Sequence, residues 1–334
     1  MLFLLLNVVL FIVSVYLIMV GADWITDSSV HLARRIGTSN LAFGLIVISL
    51  LLSLPELVIA ISSIAIGHAA LGFGASLGSV IVNIGLIIGI SAMIRPMRIP
   101  RIMVTRDMIF MTIVSIVVVA LALEDRNISR GDGLVFMLLF IPYVINVYEQ
   151  EKNLTTIEKR EKTERMTETL KRHGDYKTIS HTPRGLTYFI LGLIMLLIGS
   201  EIFLRILLNT VTYMGFPEIL IGITLGALGP SIPNFAAALG AARKGVEELV
   251  ISETIGSNIF TLLITLGIIA ILNPMDIDEN TAWVSAPALL TITFTLLIIM
   301  IKGHIKRWEG MLLVLMYIAT IIAEFIFRSA PGAA

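Results

Sequence analysis

Four polar pairs sit inside long apolar runs of this 334-residue chain, and their types and spacing suit the binding of a cation. Ser53 and Glu56 are three residues apart, and Ser79 and Asn83 are four apart. Ser231 with Asn234, and Ser257 with Thr261, repeat the two spacings. Side chains three or four positions apart share one helix face, so each pair aims its oxygens in one direction. The donors are hydroxyl, amide and carboxylate oxygens, joined by any backbone carbonyl that a helix distortion frees. Oxygen-only ligation suits hard cations such as Na+ and Ca2+, not soft metals. The chain has no cysteine, which excludes disulfides, thiolate metal sites and thiol catalysis. Its five histidines lie outside the apolar spans or at their edges, so Ser53 and Glu56 have no imidazole to complete a triad. Nothing resembles a nucleophile–base pair, a phosphate loop or a metalloprotease helix. The chain therefore does not read as an enzyme, and no resident cofactor or nucleic-acid partner is implied.

Glu56 carries most of this argument. A carboxylate at the bilayer centre costs at least about 2.5–3.5 kcal/mol on insertion scales, so an intramembrane acid is functional by default. Asp23, Glu218, Glu247, Glu248 and Glu324 fall near predicted span ends, where solvation or helix capping accounts for them. Glu201 lies one turn from Arg205 and can pair with it. Glu253 opens the eighth span, either as an entry-path ligand or as a partner of the helix N-terminal dipole. His68, in a short turn, reads as exposed.

The elements that must position these residues are written twice. Gly44, Ser53, Pro55, Gly67, Gly78, Ser79 and Gly89 recur as Gly222, Ser231, Pro233, Gly245, Gly256, Ser257 and Gly267, each 178 residues on. Gly21 and Asp23 meet Gly199 and Glu201 in the same register. The copies disagree where charge matters: Glu56 faces Asn234, and Asn83 faces Thr261. The glycines admit two readings, ligation by nearby backbone and close helix packing, and both can hold.

Composition makes this an all-α membrane protein. It is 57% hydrophobic, only 14% charged, and has a mean hydropathy of +0.94, where soluble domains carry roughly 25% charged residues. Ten spans are expected, near 2–22, 37–66, 70–94, 104–123, 133–148, 186–208, 214–242, 249–272, 281–301 and 309–327. The first lacks a basic leader and a small-residue cleavage site, so it reads as a retained helix. With the N-terminus outside, all of the 24 basic residues but Arg126, Arg130, Arg205 and Arg328 fall in inside loops, as the positive-inside rule asks. Both termini are then outside and 149–184 is cytoplasmic. Five spans per half is an odd number, so the second half enters upside down. The expected organisation is a first five-helix repeat over 1–148, a cytoplasmic linker over 149–184, and an inverted five-helix repeat over 185–334. Helices two and seven should be broken, because Pro55 lies mid-span in one and Pro230 and Pro233 in the other. With two prolines, helix seven should be the more disrupted. Inverted-repeat transporters place substrate at the midplane where such helices meet.

At these residues the chain resembles the calcium/cation antiporter superfamily, most closely its prokaryotic sodium/calcium exchanger branch. That family carries two alpha repeats with a Gly-Thr-Ser-x-Pro-Glu element and a Gly-Asn-x-x-Gly-Ser-Asn element. Here the first element reads Leu51-Leu52-Ser53-Leu54-Pro55-Glu56, and its repeat Gly229-Pro230-Ser231-Ile232-Pro233-Asn234. The second reads Gly74-Ala75-Ser76-Leu77-Gly78-Ser79-Val80, and its repeat Ser252-Glu253-Thr254-Ile255-Gly256-Ser257-Asn258. Gly21-Ala22-Asp23-Trp24 resembles the family's first helix. The resemblance implies ten helices, alternating access in a prokaryotic plasma membrane, and exchange of Ca2+ for Na+ or H+. It implies ligands Ser53, Glu56, Ser79 and Asn83 from repeat one, with Ser231, Asn234, Ser257 and Thr261 as their partners. Inorganic cations and lipid are the implied partners; no protein partner is. The chain departs from the family pattern at Asn234 and Thr261, which stand where the family has acids, and at Leu52 and Pro230, which replace the motif threonines. One central carboxylate balances one Na+ or H+ but leaves Ca2+ with an uncompensated positive charge. Two alternatives follow: monovalent cation/H+ exchange with Glu56 as the proton carrier, and a degenerate member that does not transport.

Overall fold

The computed structural model describes residues 7–21, 24, 53–152, 185–215, 218–244, 247–279 and 281–329. The elements are α1 (Asn7–Gly21), α2 (Leu54–Ala65), α3 (Ala69–Ile94), α4 (Met103–Glu124) and α5 (Arg130–Lys152), then α6 (Gly185–Met214). Helix α7 joins Glu218–Ile221, a π-helical turn Gly222–Gly226 and Ala227–Lys244. Helix α8 joins Glu247–Phe260, a π turn Thr261–Thr265 and Leu266–Leu272. Helices α9 (Thr281–Ile301) and α10 (Arg307–Ser329) follow. Seven of these helices are long and apolar enough to cross a membrane, and Asn7–Gly21, Leu54–Ala65 and Glu218–Ile232 are shorter apolar helices. The protein is a mostly helical membrane protein. Large apolar side chains such as Ile12, Leu138, Ile298 and Ile326 stand exposed on outward faces, where lipid rather than water suits them.

The internal echo has a structural counterpart. A π turn begins at Asn83 in α3 and at its equivalent Thr261 in α8. Another opens α4 at Met103 and α9 at its equivalent Thr281. Two short antiparallel ribbons tie the halves together. β1 (Met97–Arg98), which follows α3, pairs with β4 (His304–Ile305); β2 (Asn127–Ile128) pairs with β3 (Met275–Asp276), which follows α8. Gly89 of α3 packs on Gly310 of α10, and Gly267 of α8 on Gly133 of α5. A side chain at Gly21 would meet the backbone of Gly192 and Leu196 in α6, while one at Gly199 would meet Ser14 and Leu17 in α1. One apolar core runs through α3, α4, α8, α9 and α10, and a second joins α1, α2 and α6 through Ile18, Ile59, Leu196 and Phe203.

The proline readings are corrected in part. Helix α2 starts at Leu54, with Ser53 as its N-cap and Pro55 in its first turn, where a missing N–H costs nothing. Residues 37–52 of that predicted span lie outside the described residues, as do 153–184 of the linker. Helix α7, by contrast, is not broken. It runs unbroken through Pro230 and Pro233. The wide π turn ends at Gly226, the residue whose carbonyl Pro230 leaves without a donor. A π turn is a distortion within a helix, not a break, and Ser231 and Asn234 keep helical positions.

Candidate functional site

Ser53 and Glu56 occupy the N-cap and first turn of α2, and Ser79 and Asn83 occupy the middle of α3. Ser231 and Asn234 lie on α7, Ser257 and Thr261 on α8. All eight are buried. Helix α3 can approach α7 because Gly74 and Gly78 lie on the backbone of Ile219 and Ile223, and Gly222 on that of Leu71 and Gly74. Any larger residue there would separate the two helices that carry the site.

Six of the eight side chains join one hydrogen-bonded net. Ser53 Oγ donates to Ser257 Oγ at 2.8 Å. Ser231 and Ser79 share a bond at 3.1 Å, and Ser79 Oγ donates to Glu56 Oε1 at 3.4 Å. Asn234 Nδ2 donates to Glu56 Oε1 at 3.1 Å and reaches Ser257 Oγ at 3.5 Å. The pattern is two-fold. Advancing Ser53–Ser257 through the repeat gives Ser231–Ser79, and advancing Ser79–Glu56 gives Ser257–Asn234. Glu56 and Asn234 are each other's counterpart and touch directly. Only the direction of donation changes, because an amide N–H donates where a carboxylate accepts.

The other two residues fall outside that net. Asn83 Nδ2 donates to Asn258 Oδ1 at 2.8 Å, and Asn258 Nδ2 faces Met111 Sδ at 3.7 Å. Thr261 is buried but its Oγ1 has no hydrogen-bond partner. The cause is legible: the first-repeat equivalent of Asn258 is Val80, so the bond symmetric to Asn83–Asn258 has no polar partner on α3. Asn258 is the partner of a candidate residue that the repeat does not point to. Its signal is the Gly256-Ser257-Asn258 motif, but its counterpart Val80 is apolar, so the repeat gives it no polar mate.

Glu56 is 3% exposed, its Oε2 is buried without a hydrogen-bond partner, and so are Asn83 Oδ1 and Asn234 Oδ1. Buried polar oxygens ordinarily find partners, so these unmet atoms are open to a donor or a cation. Among the described residues no three His, Cys, Asp or Glu side chains converge; the donors of this net are hydroxyl, amide and carboxylate oxygens, the types that hard cations take.

Several peripheral readings change. His68 is not merely exposed: its Nδ1 lies 2.7 Å from Glu218 Oε1, joining the α2–α3 turn to the start of α7. Glu218, at the start of α7, is thus paired as well as partly solvated. Glu324 is fully buried and accepts a hydrogen bond from Ser285, which overturns its reading as a solvated span-end acid. Arg205 pairs with Glu201 at 2.7 Å, as spacing suggested.

The sequence profile of a family described as sodium/calcium exchanger protein matches residues 6–148 and 184–325. The chain is 30% identical to the inner membrane protein YrbG of Escherichia coli over 301 residues, covering 88% of this chain and 89% of that protein. It is 26% identical to the sodium/calcium exchanger MaX1 of Methanosarcina acetivorans over 347 residues, covering 96% and 98% of the two. Its fold resembles that of the sodium-calcium exchanger NCX_Mj solved after soaking with Na+ and Sr2+, with a TM-score of 0.66 and 26% identity over 95% of this chain and 98% of that one. These relatives are exchangers and membrane proteins, not enzymes. Repeat, net and likeness together make this chain a member of the sodium/calcium exchanger family of membrane cation antiporters.

Proposed function

We propose that the chain is a secondary active antiporter that exchanges Ca2+ for Na+ or H+ by alternating access. The observation that carries this reading is the two-fold hydrogen-bonded net centred on Glu56 and Asn234. Its atoms are those a cation needs, and its symmetry relates two repeats. In this reading ten helices form two inverted five-helix repeats, 1–148 and 185–334, joined by a cytoplasmic linker at 149–184. Both termini face outward from a prokaryotic plasma membrane. Glu56 supplies the charge. Ser53, Ser79, Asn83, Ser231, Asn234, Ser257 and Thr261 supply neutral oxygens that replace the cation's water. A site made equally by both repeats can be exposed to either side as one repeat rocks against the other.

Charge sets which cations fit. Glu56 alone neutralises one Na+ or one H+. Monovalent cation/H+ exchange is therefore the second reading, and Asn234 opposite Glu56 is the observation that favours it. A panel of Ca2+, Na+, K+, Mg2+ and H+ fluxes in proteoliposomes tests both. The calcium reading expects Ca2+ uptake driven by an outward Na+ or H+ gradient, abolished by Glu56→Gln. Absence of gradient-driven Ca2+ uptake beside persistent pH-driven Na+ flux would overturn it in favour of the second. Full exchange by Glu56→Gln would remove Glu56 from its role in either.

A further inference from the structure

Helix α8 carries more oxygen than its counterpart. Glu253, Ser257, Thr261 and Thr265 follow one another at four-residue intervals and so lie along one ridge. All four are buried. Ser257 belongs to the central net, while Glu253 Oε1, Thr261 Oγ1 and Thr265 Oγ1 are buried without a hydrogen-bond partner. The equivalent positions of α3 are Ala75, Ser79, Asn83 and Ile87, polar only in the middle. The half that lacks an acid at Asn234 and Thr261 thus has one at Glu253.

Glu253 is 8% exposed. A helix-capping or dipole role does not explain it. Helix α8 begins at Glu247, so Glu253 lies past the first turn, where the N–H groups are already bonded within the helix and the dipole effect has faded. The described ion pairs join other residues: His68–Glu218, Arg106–Asp107, Arg126–Glu279, Arg205–Glu201 and Lys302–Glu309. A buried carboxylate with an unmet oxygen is costly unless something cationic or donating meets it.

We infer that Glu253 is a second cation ligand, forming with the Ser257 end of the central net a station where a transported Na+ or Ca2+ is held. This rests on the cation-antiporter reading. Four residues of helix put Glu253 about 6 Å along the axis from Ser257. Two carboxylates then line one route, and their combined charge matches one Ca2+ or two Na+. The shortfall left by Glu56 alone is met by a residue one turn along α8 from Ser257, on the helix whose own central acid is missing.

The test is a titration of thermal stability with CaCl2 and with NaCl on detergent-solubilised protein, for wild type, Glu253→Gln and Glu253→Asp. Removing the charge in Glu253→Gln should raise the half-saturating Ca2+ concentration about tenfold or more. Glu253→Asp, which keeps the charge but withdraws it by one methylene, should lie between. Glu253→Gln, folded and monodisperse, titrating like wild type overturns the inference while leaving Glu56 untouched. A wild type with neither cation-dependent stabilisation nor flux overturns the antiporter reading instead, so the two failures are distinct.

Discussion

Asn234 is where this chain limits the charge of its centre. Its amide donates to Glu56 Oε1 at 3.1 Å, so it supports the carboxylate without adding to it. Asn234→Asp would place two acids in contact. Without Ca2+ their repulsion should lower Tm; saturating Ca2+ should restore it, because a ligand that binds only the folded state stabilises by mass action. The half-saturating Ca2+ concentration should fall about tenfold, since a charged ligand is worth about 1.5–3 kcal/mol. A thermal-shift titration measures both. Asn258 makes a different kind of contribution. Asn258→Val would copy the first repeat's Val80 and strand the Asn83 amide, at a cost of about 1–3 kcal/mol. Its Tm should fall at every cation concentration, whereas a lost ligand changes mainly the cation-dependent part. The pairs at Ser53, Ser79, Ser231 and Ser257 were readable from spacing. Which serine meets which was not, because those bonds cross between repeats.

The crossing of α3 on α7 decides whether the site exists. Gly78 lies directly against the backbone of Ile223, which cannot move aside as a side chain can. Gly78→Val should cost at least about 1–3 kcal/mol by overpacking and pull Ser79 away from Ser231. Lower Tm and lost exchange are the expected results. Gly67 is a useful contrast. Its φ of +84 favours glycine, but a Cβ there meets nothing within 4 Å. Gly67→Ala should therefore cost only about 1 kcal/mol of backbone strain and leave the half-saturating cation concentration unchanged. Proline content suggested that helix seven would come apart. The helix instead continues through both rings, with a π turn at Gly222–Gly226 just before them, an outcome that composition does not reveal.

At the scale of the molecule, the two ribbons offer a test of orientation. β1 with β4 carries Arg98 on an exposed position, and Asp125 is exposed beside β2 with β3. The sorting of basic residues puts the first ribbon inside and the second outside. The chain has no native cysteine, so single replacements report without background. Asp125→Cys should react with a membrane-impermeant maleimide added to intact cells, and Arg98→Cys only after permeabilisation. Labelling of both from the same side would contradict the inverted arrangement. Each half supplies one strand to each ribbon, and α1 and α6 exchange the contacts of Gly21 and Gly199 in the same reciprocal way.

By itself the sequence determined the apolar spans, the repeat, the polar pairs and the one acid among them, Glu56 beside Pro55. These are local or periodic features, and hydropathy and helix geometry act on them residue by residue. Only the tertiary structure decided that Glu56 and Asn234 touch, that Asn83 pairs with Asn258 while Thr261 Oγ1 finds no hydrogen-bond partner among the described residues, and that Glu253 and Glu324 are buried. Those outcomes depend on how closely two helices approach and on which face of each meets the other. A repeat in the sequence aligns equivalent residues along the chain, but a two-fold fold brings together residues that are not equivalent, save the one pair on its axis.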